Sequence, residues 1–492
     1  PVADRANPAA WLRALDAADV ADASNTSNAD NDALSEQIKQ LNGFDPVTHD
    51  RNKRLLKAGK IGVGNNRLPM TTAIADVRDH DVTLVRNDLS DPYVARCRHL
   101  GQELLAANAV AVVTYGGGLG SRWTEGAPVV KLINPFVTMR GRHRSFAEIH
   151  LGKTSEVKAK YKQPVQHVFT TSFLTHEPTR EELTLTHNYG YDGPVHLSRG
   201  QSIAHRVYPM ERDLRFLWEE LPQQRLDEQA QKVQDNLRNA YIEWTRARGE
   251  GEDYTENVAV QRFNPPGHFY EIPNLLRNGV LAAMLRANPG LRHLMAHNAD
   301  TLGVFLSPIM IGMHELSAKT LNIEVTPRRY EDKGGGLARV NDRVQLVEAL
   351  ALPHEEDEFK LTYYNTLTTW VNIDGFLSAL GLTRDDILGA DHNADAAAKL
   401  NAALQKFEER VPTYVTIKDV KFLWGAGQED VFPVAQFEKL WGDVTWLPDI
   451  DCGYFVVERR RGQQLKDPAQ LDRWVRDGSR DYVASKARFA RA

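Results

Sequence analysis

Cysteine is scarce. Cys97 and Cys452 are the two in 492 residues, far apart and in no metal-ligand spacing. That excludes a disulfide-stapled secreted scaffold and suits a reducing cytoplasm. A basic excess is missing too: Lys and Arg number 60 against 65 Asp and Glu, a formal net charge of −5. Composition therefore carries no nucleic-acid footprint. No apolar run approaches the ~18 residues that a membrane helix requires. The opening stretch, PVADRANPAAWLRALDAADV, lacks a charged region followed by an apolar one, so no signal peptide is expected. No internal repeat is evident. The expected protein is soluble and cytoplasmic, with neither nucleic acid nor membrane as a partner.

What is present is an ordinary globular composition, 42% hydrophobic and 25% charged. At this length one large domain with smaller pieces at its ends is expected. Residues 21–33 are small and polar and read as a connector, with a short helix following in LSEQIKQL. Residues 93–107 read as helix, and the apolar runs AVVTY, HVFTTSF, HLMAHNA and LNIEVTP as strands separated by helical stretches. Leu226, Ala230, Val233, Leu237, Tyr241 and Trp244 recur three and four apart, predicting a core-facing helix around 225–248. VPTYVTIKDVKFLW and YFVVERRRG read as strands of a smaller C-terminal unit, and Arg459, Arg460 and Arg461 as solvated surface. The segments so defined are a mostly helical region at 1–92, a catalytic α/β domain at 93–400 and a small C-terminal region at 401–492.

The strand at 111–115 breaks into Gly116-Gly117-Gly118-Leu119-Gly120-Ser121-Arg122, and Lys131 follows. Glycines after a parallel strand can present backbone N–H groups to an anion, because no Cβ blocks the approach. Two well-known phosphate loops are excluded. The P-loop requires Lys-Ser or Lys-Thr after its second glycine, and the dinucleotide fingerprint requires a third glycine where Ser121 stands. The remaining reading is a loop that wraps a triphosphate while Arg122 and Lys131 neutralise its charge. The plain alternative is a tight turn.

The stretch Gly117-Gly118-Leu119-Gly120-Ser121, with Pro128-Val129-Val130-Lys131 behind it, resembles the fingerprint loop of the UDP-glucose pyrophosphorylase family, the UTP–sugar-1-phosphate uridylyltransferases. Five more stretches follow in that family's order: VFTTSFLTHEPT, FNPPGHFYEI, HNADTLG, IEVTPRRYEDKGGGLARVNDRVQLVEALALP and YYNTLTTW. Together they span residues 113–370. The resemblance implies a Rossmann-like, GT-A-like nucleotidyltransferase: a mostly parallel central sheet with helices on both faces, a helical N-terminal region and a small C-terminal unit. It implies UTP and a sugar 1-phosphate as partners and Mg²⁺ as cofactor. By resemblance, Gly117, Gly118, Leu119, Gly120, Ser121, Thr171, Ser172 and Gly267 would bind the nucleotide. His268, Asn298, Lys333, Gly334, Gly335, Glu348 and Asn365 would bind the sugar phosphate. Asp300, at a predicted strand end, would hold the metal, and Arg122, Lys131 and Lys418 would handle phosphate charge, with Lys421 a rival to Lys418. Ligands collect at the carboxyl edge of open α/β sheets, and phosphoryl chemistry needs positioning and cations more than a base.

Three departures bear on specificity. The family's F-N-T-N-N is here Tyr364-Asn365-Thr366-Leu367-Thr368, its P-P-G-H-G-D continues as Phe269-Tyr270, and the tail is helical in pattern where a β-helix is usual. Glucose 1-phosphate is the expected sugar. N-acetylhexosamine 1-phosphate, another nucleotide, or a non-catalytic nucleotide-binding relative stand as alternatives, and monomer or homo-oligomer is left open. A dehydrogenase is disfavoured by the missing glycine, and the first 90 residues carry no legible chemistry.

Overall fold

A computed structural model describes residues 28–119, 129–220, 228–330, 332, 334–425, 428–466 and 468–490. These form two compact units assembled from interleaved stretches. One comprises the described residues of 1–69, 200–270 and 412–440, and the other those of 70–199, 271–411 and 441–492.

The second unit is built on an eleven-stranded sheet. Along its main path the strands are Thr83–Leu84, Cys452–Val456, Leu321–Pro327, Tyr363–Asn372, His293–Asn298, Val110–Tyr115, His167–Thr171 and Val195–Arg199. The first three run parallel to one another, as do the last four. Tyr363–Asn372 lies between the two groups, antiparallel to both neighbours. Gly336–Val340, Arg343–Val347 and Ile74–Ala75 extend the sheet antiparallel. The expected α/β fold with a mostly parallel central sheet is therefore present.

Val110–Tyr115 is rich in β-branched residues and buried at all six positions. Side chains alternate between faces along a strand, so such a run must be covered on both sides. Val110, Val112 and Met295 pack with Val94, Leu104, Met310 and Met313, from helices Pro92–Ala106 and Pro308–Ser317. Phe169 packs in a separate cluster with Phe146, Ile149, Leu183 and Trp474. Side-chain caps start the helices: Asp91 accepts from Tyr93 N, with Pro92 in the first turn, and Ser145 accepts from Glu148 N.

In the first unit, Tyr414–Gly425 and Gln428–Glu438 form an antiparallel hairpin. Val415, Ala435 and Phe437 pack on Leu56 and Val207, and Val420 and Val434 on Tyr208 and Tyr254. Helices Asn28–Leu41, Pro46–Lys57 and Glu228–Arg248 belong to the same unit. Three sequence expectations change. The connector read at 21–33 is helical from Asn28, its earlier part lying outside the described residues. The helix expected at 225–248 is present from Glu228, Leu226 lying outside the described residues, but Leu237 is 50% exposed and the buried positions among the described side chains are Ile242 and Thr245. YFVV does not belong to a separate small unit: Cys452–Val456 pairs in register with Leu321–Val325 in the central sheet. Among the described residues no helix is long and apolar enough to cross a membrane.

Candidate functional site

Val110–Tyr115 and His293–Asn298 run parallel in full register, so Tyr115 and Asn298 end at one edge. The chain leaves that edge at Gly116, whose N–H donates to Thr170 O at 2.9 Å and whose carbonyl accepts from Thr175 Oγ1 at 3.2 Å. A Cβ there would lie 2.6 Å from Leu132 Cδ2, so Gly116 is a packing glycine. Gly118 differs: a Cβ built on it meets nothing within 4 Å among the described residues. Leu119 then bridges to Val130, closing the loop's ends and bringing Lys131 beneath it. Gly120, Ser121 and Arg122 lie outside the described residues.

Lys131 Nζ meets Asp300 Oδ2 at 2.5 Å, with side-chain exposures of 19% and 7%. Asp300 Oδ1 is buried and has no hydrogen-bond partner among the described residues. A shielded carboxylate oxygen with no donor is costly, so this atom is suited to a ligand, and a hard cation is the chemistry that matches it. The expected metal ligand and the expected lysine thus stand together, two residues past one strand end and beside the glycine loop.

Thr171 and Ser172, expected in the base pocket, spend their hydroxyls internally. Thr171 Oγ1 meets His176 Nδ1 at 2.8 Å, while Ser172 Oγ accepts from Leu174 N at 3.3 Å. These bonds brace the turn that follows the strand. Beside them stands a carboxylate the sequence reading missed. Glu271, half-buried at the start of helix Glu271–Arg277, has Oε1 3.5 Å from where a Gly117 Cβ would lie. Burial pushes its carboxyl up to about 7, with the nearby Thr170 hydroxyl pulling the other way. The signal was available: an acid stands one place later than the resemblance puts it, after Phe269-Tyr270.

On the sugar side, Gly335 lies with its Cβ position 3.0 Å from Glu348 Oε2, and that of Gly442 is 2.9 Å from Glu348 Oε1. Oε1 is shielded and has no partner. Burial drives the Glu348 carboxyl up to about 7, with the Lys466 ammonium pulling the other way. Gly334 is tied through its N–H to Glu358 and through its carbonyl to Arg328; Lys333 lies outside the described residues. Asn365 N donates to Gly335 O at 3.2 Å, and Asn365 Oδ1 accepts from Leu367 N at 2.9 Å. Antiparallel entry explains its place, since the start of Tyr363–Asn372 lies opposite the carboxyl end of Leu321–Pro327.

Lys466 is the second residue that sequence reading missed. Leu465 N donates to Asp300 O at 3.0 Å, and Lys466 Nζ lies 3.4 Å from Tyr364 Oη. The C-terminal stretch therefore delivers a lysine between Asp300, Tyr364 and Glu348. Lys418, expected in that role, is exposed on the hairpin of the first unit, as is its rival Lys421. Gly267 and His268 also belong to the first unit. Gly267 has φ +97° and a Cβ position 2.2 Å from Lys439 O, so only glycine fits there. The buried Lys439 donates its N–H to Pro266 O and accepts from Phe269 N, clamping the Pro-Pro-Gly-His turn.

Of the arginine run, Arg460 is exposed as expected, but its two neighbours are not solvated surface. Arg461 is 5% exposed and grips the fully buried Glu324 with two bonds of 2.7 Å, while Arg459 pairs with Asp332. His49, His205 and Asp253 in the first unit bring ligand atoms within 4.8 Å of one another. His49 and Lys53 hydrogen-bond one Asp253 oxygen at 2.8 and 2.7 Å, which accounts for the cluster as an ion-paired network.

Solved structures share the fold. The UDP-glucose phosphorylase of Trypanosoma brucei matches with a TM-score of 0.55 at 16% identity, over 88% of this chain and 76% of that one. A UDP-glucose pyrophosphorylase mutant of Leishmania major in complex with UDP-Glc gives 0.54 at 16%, over 90% and 77%. The uridine diphosphate N-acetylglucosamine pyrophosphorylase of T. brucei gives 0.53 at 13%, over 81% and 72%. The class is that of the UDP-sugar pyrophosphorylase fold. Sequence then narrows it. Residues 251–387 match the model of the UTP–glucose-1-phosphate uridylyltransferase family. The Solanum tuberosum enzyme of that name is 32% identical over 123 residues, 24% of this chain and 25% of the relative's length. Over residues 251–387 the chain is therefore similar to the UDP-glucose pyrophosphorylase family, and it spans about a quarter of the curated relative's length.

Proposed function

We propose that this chain joins UTP to a sugar 1-phosphate, glucose 1-phosphate first among them, releasing pyrophosphate, and that it does so in the cytoplasm. A phosphate oxygen of the sugar phosphate attacks the α-phosphorus of UTP. The new P–O bond forms as the bond from the α-phosphorus to the pyrophosphate oxygen breaks in line, and the reverse reaction uses the same site. Both reactants are polyanions, so the chemistry rests on placement and charge. The open backbone at Gly117 and Gly118 is suited to phosphate oxygens. Lys131 and Lys466 supply positive charge on two sides of Asp300. Mg²⁺, which prefers carboxylate and phosphate oxygens, would be held by Asp300 Oδ1 and would offset charge on the phosphates. Glu348 and Asn365 are suited to sugar hydroxyls.

The single observation carrying this reading is the Lys131–Asp300 pair at 2.5 Å with Asp300 Oδ1 unpartnered. A cation and a metal-type carboxylate share one strand edge with an open glycine loop. One observation favours a second sugar class: Leu367 and Thr368 stand where the family has two amides, and losing hydroxyl-binding groups relaxes discrimination. N-acetylglucosamine 1-phosphate is therefore the rival substrate. Purified protein with UTP, Mg²⁺ and a panel of sugar 1-phosphates, assayed for pyrophosphate release, tests both. Release with glucose 1-phosphate above all others supports the first, and release with N-acetylglucosamine 1-phosphate above all others the second. No release with any sugar overturns the proposal.

A further inference from the structure

Asp300 stands in a loop, yet a strand end alone does not hold a loop carboxylate in place. What does so comes from the buried side of the sheet. His150 and Lys153 lie three apart, hence on one face, in helix Phe146–Tyr161. His150 Nε2 meets Ala299 O at 2.7 Å. Lys153 Nζ meets Leu302 O at 2.9 Å and Val304 O at 2.6 Å. His297 Nδ1 meets Asn298 O at 2.9 Å. Four carbonyls, on either side of Asp300, are thus taken by three buried donors.

We propose that His150, Lys153 and His297 are positioning residues that hold the 298–304 backbone by its carbonyls and so set where the Asp300 carboxylate stands. This rests on the reading of Asp300 as the metal-binding carboxylate.

Hydrogen-bond logic supports it. A carbonyl only accepts, so His150 Nε2 and His297 Nδ1 must carry hydrogens. A neutral His297 then offers Nε2 as acceptor to the Thr114 hydroxyl, 3.1 Å away. The Thr114 oxygen accepts from His167 Nε2 at 3.0 Å, and His167 Nδ1 accepts from Thr154 Oγ1 at 2.8 Å. One proton per ring satisfies every link, and the chain has a single sense, from Thr154 to the Asn298 carbonyl. Burial keeps all three imidazoles neutral: it drives His150 and His297 well below their ordinary range and His167 down to about 3, with Lys153 adding to each. Burial, with Arg461 as a like charge, also drives the Lys153 amine far below its usual range. Its Nζ donates to two of the four carbonyls. From another direction Arg461 Nη1 donates to Phe305 O at 3.1 Å.

The test uses His150→Phe, which keeps a ring but removes the donor, and His150→Gln, whose side-chain amide places an N–H near the same point. Turnover, Mg²⁺ half-saturation and amide exchange across 298–306 are measured on the full chain. H150F is expected to lose about 10- to 100-fold in Mg²⁺ half-saturation or turnover, as supporting partners of metal ligands do, and to exchange the Thr301 amide faster. H150Q is expected near wild type on all three. Wild-type values in H150F overturn the proposal, and so does H150Q as damaged as H150F, since the ring would then matter only for packing. If H150F does not fold, Lys153→Met carries the test with the same two outcomes. A wild-type chain that releases no pyrophosphate defeats the functional reading instead, and the exchange measurement still decides the cradle.

Discussion

Gly118 and Gly116 are two residues apart and should respond to the same substitution in opposite ways. A methyl group on Gly116 would lie 2.6 Å from Leu132 Cδ2 and 3.0 Å from Thr170 O, so Gly116→Ala forces a repacking of the strand end. Overpacking of that kind costs about 1–3 kcal/mol. At Gly118 the added carbon meets nothing within 4 Å among the described residues, and its φ is not in the left-handed region. Gly118→Ala should therefore leave stability unchanged, or raise it by about 0.5 kcal/mol through a stiffer unfolded chain. Its effect belongs to the ligand. A bare Cα lets a phosphate lie over the backbone within about 2.9 Å of neighbouring N–H groups, and a methyl group on that face would push it out of reach. Hydrogen bonds to charged groups contribute about 1.5–3 kcal/mol, so UTP affinity should fall roughly 10- to 150-fold. Thermal unfolding, with UTP binding by calorimetry, reads both quantities. A stable Gly118→Ala variant that binds UTP as wild type does would mean no phosphate crosses this loop, and the site assignment would fail with it.

Three further outcomes follow from the same geometry. Lys131→Met and Asp300→Asn should each lower turnover by about two to three orders of magnitude with far-UV circular dichroism unchanged; wild-type rates in either would remove that residue from the site. Glu348 holds its proton up to about pH 7 when folded but releases it near 4.5 when unfolded. Stability is therefore lost as pH rises through that window, and the penalty is complete above it, on the order of 3 kcal/mol. Glu348→Gln should melt progressively higher than wild type between pH 5 and 8, and a pH-independent difference would refute the assignment. Leu367 has φ +57°, a conformation that asparagine tolerates better. Leu367→Asn should raise stability by about 0.5–1 kcal/mol in denaturant unfolding, and a loss would show that packing of the leucine outweighs its strain.

The legible parts of this site are those encoded by neighbours in sequence. Gly116–Gly118 follow directly on a β-branched run, and Asp300 comes shortly after the apolar run HLMA, so the strand pattern alone put both at one sheet edge. Lys131 was legible because Leu119–Val130 closes the loop in front of it. Lys466 was not, since its place depends on Leu465 pairing with the backbone of Asp300 across a long stretch of chain. No local pattern announces such a contact. Arg461 misled for the same reason: three consecutive arginines read as solvated, and only the burial of Glu324 on a central strand shows where the third must go. The units were illegible because each gathers three separate segments, so no compositional boundary marks them.

The position of Tyr363–Asn372 gives this division a chemical consequence. Parallel strands send their carboxyl ends to one edge, and those ends carry the glycine loop and the route to Asp300. An antiparallel strand set among them sends its amino end to that same edge, which is why Asn365 arrives there by a separate path. The register of that strand shifts opposite Glu324–Val325, just where Leu367 adopts its left-handed conformation. A bulge alters side-chain direction locally without moving the strands beyond it. On the proposed function, the groups suited to phosphate and those suited to sugar are therefore built on different strands. A change at 367–368 is then expected to shift sugar preference while Lys131, Asp300 and the backbone at Gly118 keep their arrangement. The amide-to-leucine and amide-to-threonine departures fall on the strand that carries Asn365, apart from those groups.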